Sequence, residues 1–181
     1  MNKYILFFSC MLFLNIVQPS YTYAKSGQIG EVRVRGELIA EPCVIRPGDE
    51  EIEVDFGTIV DKYLYINTRS HIESYVIHLE DCDTSIFNTV DVTFVGNENP
   101  NLPGLLALDS NSVATRVGIA ILDESENIIE INTPTPAYKL NNGNNELRFK
   151  AYVEAELDAI KSKSIGLGAF TATATFKLFY D

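Results

Sequence analysis

Three groups of side chains in this chain could support chemistry. Asp49, Glu50, Glu51, Glu53 and Asp55 crowd carboxylates into one short stretch, as a calcium loop does. Glu80, Asp81 and Asp83 flank Cys82 and could serve as an acid and base pair. His71 and His78 could ligate a metal. Each group lacks what its chemistry requires. The acidic stretch has no Asp-x-Asp-x-Asp-Gly spacing with a distal glutamate. The two histidines share no face in a strand or loop, and no third ligand stands at metal spacing. Nothing beside Glu80, Asp81 or Asp83 would separate two carboxyl pKa values. No serine sits in a nucleophile elbow and no glycine-rich loop could cradle phosphate. These side chains read as solvated loop and strand faces, and the sequence predicts neither an enzyme nor a bound cofactor or metal.

The cysteines carry the chemistry that remains. Residues 1–24 open with Lys3, continue through an apolar run and end Thr-Tyr-Ala ahead of Lys25, with no acidic residue. That is the pattern of a secretory signal peptide. Cleavage after Ala24 leaves about 157 of the 181 residues, a size suited to one domain. Cys10 leaves with the signal, so Cys43 and Cys82 remain, and an oxidising compartment favours joining them. Such a bond closes a loop of roughly 40 residues, for which chain entropy gives about 4 kcal/mol. Without a Cys-x-x-Cys pair, its role is structural.

Charge excludes one partner class. Cleavage takes one lysine from 14 basic residues and none from 25 acidic ones, leaving a net charge of about −12. A nucleic-acid surface needs a basic stripe, and the basic residues group only as Arg33/Arg35 and Lys161/Lys163. The acidic excess keeps a surface soluble.

The elements that must position these residues are strands. From Phe170, every second residue is apolar (Phe170, Ala172, Ala174, Phe176, Leu178, Tyr180), and Thr171, Thr173, Thr175 and Lys177 fill the other phase. A period of two predicts a sheet segment with one buried face. Residues 31–39, 52–56, 75–79, 90–95, 117–122, 128–131 and 147–153 are short, rich in Val, Ile, Phe and Tyr, and punctuated by Pro, Gly, Asn and Asp. This spacing predicts an all-β sandwich. Asn142-Gly143 predicts a tight hairpin turn. Residues 151–160 begin with strand alternation, and only residues 154–161 read as helix.

Several local patterns stand in one order after the signal peptide: Gly36-Glu37-Leu38-Ile39 before Pro42-Cys43, Asp55-Phe56-Gly57, and Leu79-Glu80-Asp81-Cys82-Asp83. Val117-Gly118-Ile119-Ala120-Ile121-Leu122-Asp123 and Leu140-Asn141-Asn142-Gly143 follow, with Gly168 fourteenth from the end and Tyr180 penultimate. In these features the chain resembles the subunits of chaperone–usher fimbriae, the rod and minor subunits of type 1 and P pili among them. The resemblance covers nearly all of the chain after residue 24.

The resemblance implies an incomplete immunoglobulin-like β-sandwich, lacking its last strand and completed by a donor strand from a chaperone or a neighbouring subunit. The groove would run along Gly168, Phe170, Ala172, Ala174, Phe176, Leu178, Tyr180 and Asp181. An extension over residues 25–36 would precede a pilin domain over residues 37–181 and donate Gly30, Val32 and Val34, with Glu31, Arg33 and Arg35 on the opposite face. Main-chain bonds then give affinity and alternate side chains give specificity. The implied partners are a periplasmic chaperone, an outer-membrane usher and other fimbrial subunits, with transit through the periplasm to a cell-surface fimbrium involved in adhesion. Val34 replaces an aromatic residue of the rod subunits and the extension is slightly shorter than theirs, which leaves a minor adaptor, tip or terminating subunit as the alternative. On the residues alone, residues 31–35 read equally as an edge strand of their own domain. A free-standing secreted carbohydrate-binding sandwich is a further alternative.

Overall fold

The computed structural model describes residues 30–38 and 40–181, so the expected signal peptide lies outside the described residues. The chain divides into two units between Leu38 and Ile39. In the first, residues 30–38 form no strand, and the expected strand over residues 31–39 is absent from its described part.

The second unit begins its sheets with β1 (Val44–Ile45), followed by α1 (Asp61–Asn67), β2 (Glu73–Cys82) and β3 (Thr89–Val95). The middle of the chain adds β4 (Leu106–Ala107), β5 (Val117–Leu122), β6 (Ile128–Ile129) and β7 (Tyr138–Lys139). It ends with β8 (Gly143–Ala155), α2 (Leu157–Ser162) and β9 (Thr175–Tyr180). One sheet runs β1-β2-β8-β5-β4, with β6 also paired to β5, and the other runs β7-β3-β9. All pairings are antiparallel.

The core lies between the sheets because alternate residues of each face inward. Ile77 and Leu79 of β2 and Leu147, Phe149, Ala151 and Val153 of β8 are buried against Val90, Val92 and Phe94 of β3. Phe149 takes an edge of Phe94 at 5.1 Å between centroids and packs beside Tyr75 at 5.7 Å, the geometry aromatic quadrupoles favour. The strand β5 is buried at every position, because a second apolar cluster of Leu102, Leu105, Ala120, Leu122 and Tyr152 covers its outer side. Gly118 permits that cover: a side chain there would meet Asn99 Nδ2 at 3.1 Å and Leu106 O at 3.3 Å.

Three expectations change. Gly143 has a φ of 86°, as a turn at Asn142-Gly143 demands, but β7 pairs with β3 and β8 with β2. The turn carries the chain from one sheet to the other and closes no hairpin. Residues 154 and 155 complete β8 and the helix occupies Leu157–Ser162, so strand alternation persists further than expected. Residues 52–56 keep their alternation but pair with nothing among the described residues.

Candidate functional site: an open groove beside the C-terminal strand

The inward phase of β9 continues upstream through residues that belong to no ladder. Phe170, Ala172, Ala174, Phe176, Leu178 and Tyr180 all pack against the core, and all remain only half-buried. The backbone explains why. Asp181 and Thr89 each donate an N–H to the other's carbonyl oxygen, at 3.2 and 3.1 Å. In an antiparallel ladder such bonded pairs alternate, so Phe179, Lys177 and Thr175 also point their N–H and C=O groups at β3. Further upstream, loop residues take over on the same side. The Asp109 N–H donates to Thr171 O at 2.8 Å, and the N–H of Thr173 donates to Asp109 Oδ1 at 3.2 Å. Ser112 Oγ accepts from the Thr171 N–H at 3.0 Å, and Val113 donates to Ala169 O at 2.8 Å.

The odd-numbered backbone groups are therefore satisfied from one side, and the even-numbered ones face the other. There β9 has no partner strand among the described residues, for it ends its sheet. Gly168 starts this run with a φ of 147°, where a Cβ would lie 2.5 Å from Val113 Cγ1. Glycine is required for the chain to press onto that loop.

A second wall faces this open edge. Ile52, Val54 and Phe56 are half-buried while Glu51, Glu53 and Asp55 are exposed, a strand's alternation without a strand's bonds. Across residues 51–58 no backbone group bonds to another among the described residues, and only the Gly57 N–H finds a side chain, Asp55 Oδ1 at 2.8 Å. Phe56 meets Phe170 at 6.4 Å between ring centroids. At the far end, burial and then the Glu41 carboxylate push the Tyr180 hydroxyl pKa up. The wall thus lies beside residues 170–180, with Phe56 against Phe170 and no ladder between. Two unpaired backbone rows above a half-covered apolar floor form a slot for one extended strand.

The cysteines and one acidic residue fix this wall. Cys43 and Cys82 are joined and buried, tying the start of the wall to the end of β2. The Asp49 carboxylate accepts the His78 backbone N–H at 2.8 Å and lies 2.7 Å from its Nδ1, while Arg46 donates to the other oxygen at 2.9 Å. That N–H of His78, then its ring and Arg46, hold the Asp49 pKa down to about 2 against the opposing effect of desolvation. Their sequence context predicts Asp49 and His78 to be solvated, whereas this contact buries Asp49 and holds the His78 ring. His71 packs on the Tyr63 ring at 4.7 Å. Among the described residues, no group of three His, Cys, Asp or Glu side chains could hold a metal.

Of the expected donor residues, Val32 and Val34 are 89% and 86% exposed, and nothing lies within 4 Å of a Cβ built at Gly30. Glu31 and Arg33 contact each other at 2.8 Å, as side chains two apart on one face of an extended segment can.

The family model described as "Fimbrial protein" matches residues 32–181. The chain is 35% identical over 176 residues to the putative minor fimbrial subunit PmfF of Proteus mirabilis (strain HI4320), covering 96% of this chain and 94% of that one. It is 38% identical over 152 residues to the Fimbria A protein of Serratia marcescens, covering 84% of each. Among solved structures, the P pilus rod subunit PapA superposes with a TM-score of 0.68 at 23% identity, over 78% of this chain and all of that one, which speaks for the fold. A chaperone–usher pilus structure superposes equally well at 25% identity, over 88% of this chain and 99% of that one. With an incomplete immunoglobulin-like sandwich matched in sequence from Val32 to its last residue, the chain belongs to the fimbrial protein family.

Proposed function

We propose that this structural fimbrial subunit is completed by a strand from outside itself, lent first by a periplasmic chaperone and then replaced by the extension of a neighbouring subunit at an outer-membrane usher. The observation that carries this reading is the free edge of residues 170–180. Six even-numbered backbone positions there meet no partner strand on their open side, above a half-covered apolar face, a state that invites aggregation if left open. A transient strand protects the groove in the periplasm, and a permanent one builds the surface fimbria. Other fimbrial subunits are the lasting partners, and cell adhesion is the purpose of the assembly. Residues 1–24 act as the signal peptide, residues 25–36 as the donor extension and residues 37–181 as the pilin domain. Gly30, Val32 and Val34 enter the neighbour's groove. The exposure of both valines supports their availability as donors.

The test is chaperone capture. Phe176→Asp or Leu178→Asp puts an unpaired charge on the groove floor, and removal of Tyr180 and Asp181 shortens the edge. Each change is expected to abolish copurification of the subunit with its chaperone from periplasm. Undiminished copurification would overturn the reading.

A further inference from the structure

The outward faces of the two groove walls differ in charge. Glu51, Glu53 and Asp55 form a carboxylate row along one wall, all exposed, and none is in an ion pair with a described residue. The other wall presents Thr171, Thr173 and Thr175, with Lys177 as its one charge before Phe179. This chain's own extension alternates in the complementary way, with Gly30, Val32 and Val34 on one face and Glu31, Arg33 and Arg35 on the other. Any strand bonded into the slot with its apolar face down must turn its other face up, beside the carboxylate row. Neighbouring strands lie about 4.8 Å apart, so facing side chains on the two strands come into direct contact.

We propose that the groove accepts the extension of a second copy of this chain, and that Glu51, Glu53 and Asp55 select it by pairing with Arg33 and Arg35. This rests on the strand-acceptor reading above. Two observations point to that occupant: the free backbone row accepts an added strand, and charge complementarity with the carboxylate row favours one with basic outward residues. Glu31 and Lys177 carry the opposite signs, leaving two arginines and one glutamate on the donor's outward face, against three carboxylates and one lysine on the walls. Two copies of an acidic protein repel at long range, but salt screens charge beyond about 8 Å, and the pairs at strand spacing decide.

The experiment uses the mature subunit with its disulfide intact, refolded by dilution into a fluorescein-labelled peptide of residues 25–36 and read by anisotropy. The native peptide is expected to bind, and Gly30→Arg to prevent entry. A peptide carrying Arg33→Glu and Arg35→Glu is expected to bind about tenfold more weakly in low salt, as two reversed cross-strand pairs imply. A subunit carrying Glu51→Lys and Glu53→Lys should restore that peptide and reject the native one, the reciprocal coupling of a double-mutant cycle. Asp55 is left in place because it holds the Gly57 N–H. The preference should shrink as salt is raised. Equal binding of native and reversed peptides, with Gly30→Arg still excluded, would overturn the carboxylate selection and leave the strand-acceptor reading intact. Entry of none of the peptides into a subunit that its chaperone still captures would overturn the second-copy pairing.

Discussion

The strands β8 and β9 obey the same period of two, yet one is sealed and the other open. Leu147, Phe149, Ala151 and Val153 are at most 3% exposed, whereas Phe176, Leu178 and Tyr180 stay half-buried on the same core. Their side chains differ little in type. What differs is neighbours: β8 has β2 on one side and β5 on the other, and β9 has β3 alone. Alternation tells which face of a strand turns inward. It says nothing about whether both edges are occupied, and full burial needs both.

The comparison breaks most directly at its two phenylalanines. Phe149→Ala removes a side chain that touches Phe94, Tyr75 and Tyr138, and is expected to cost about 3–5 kcal/mol in urea unfolding of the subunit. Phe176→Ala, on the half-covered floor, is expected to cost clearly less in the free subunit. Its cost should grow toward that of Phe149→Ala once a donor peptide fills the groove. If the free subunit loses as much stability at Phe176 as at Phe149, β9 is sealed and the contrast fails.

The disulfide joins the open side to the sealed side. Cys43 and Cys82 are 39 residues apart, and the bond anchors the wall of the groove to the end of β2. Replacing both by Ser is expected to cost about 4 kcal/mol by the loop-entropy estimate, with folded subunit falling sharply in periplasmic extracts. Urea midpoints of the oxidised protein and the double variant check the value. A midpoint change below a quarter of that size would mean that the wall is held by its other contacts.

Much of this contrast was legible in the sequence. The alternation of Phe170 through Tyr180 gave the correct inward face, and the strands around Tyr75, Val90, Val117 and Leu147 were found where their apolar runs lie. The elements missed were short. Helix α1 spans seven residues and buries one side chain, Leu64, too few positions for a helical period to register. Strands β1, β4 and β7 are two residues each and are defined by their partners. The Asn142-Gly143 pair predicts a local turn, but its dihedral requirement is the same whether the chain returns to its own strand or crosses to another sheet. Asp49 stood in a run of carboxylates with nothing to single it out, since its partner His78 lies 29 residues away.

The smallest effect tests whether that contact holds the open side. Asp49 is a carboxylate whose pKa falls on folding, from about 3.9 in an unfolded chain to about 2. A depressed acid stabilises the fold fully above its unfolded pKa, and this contribution fades as pH drops toward the folded value. The groups facing it are the His78 backbone N–H and ring and the Arg46 guanidinium. Glu146 approaches the far side of the His78 ring at 4.0 Å and Arg148 pairs with Glu146. Asp49→Asn keeps one acceptor oxygen and removes the charge, so it should lower the urea midpoint by a modest amount at pH 6. The gap between native and variant protein should narrow from about pH 5 downward and be mostly lost by pH 2. Because the Arg46, Asp49 and His78 amides are the ones bonded at this contact, their hydrogen exchange should rise over the same interval, while the amides of β8 stay protected. A gap that is constant from pH 6 to pH 2 would mean that the Asp49 charge has no part in holding the wall, leaving the disulfide as its anchor.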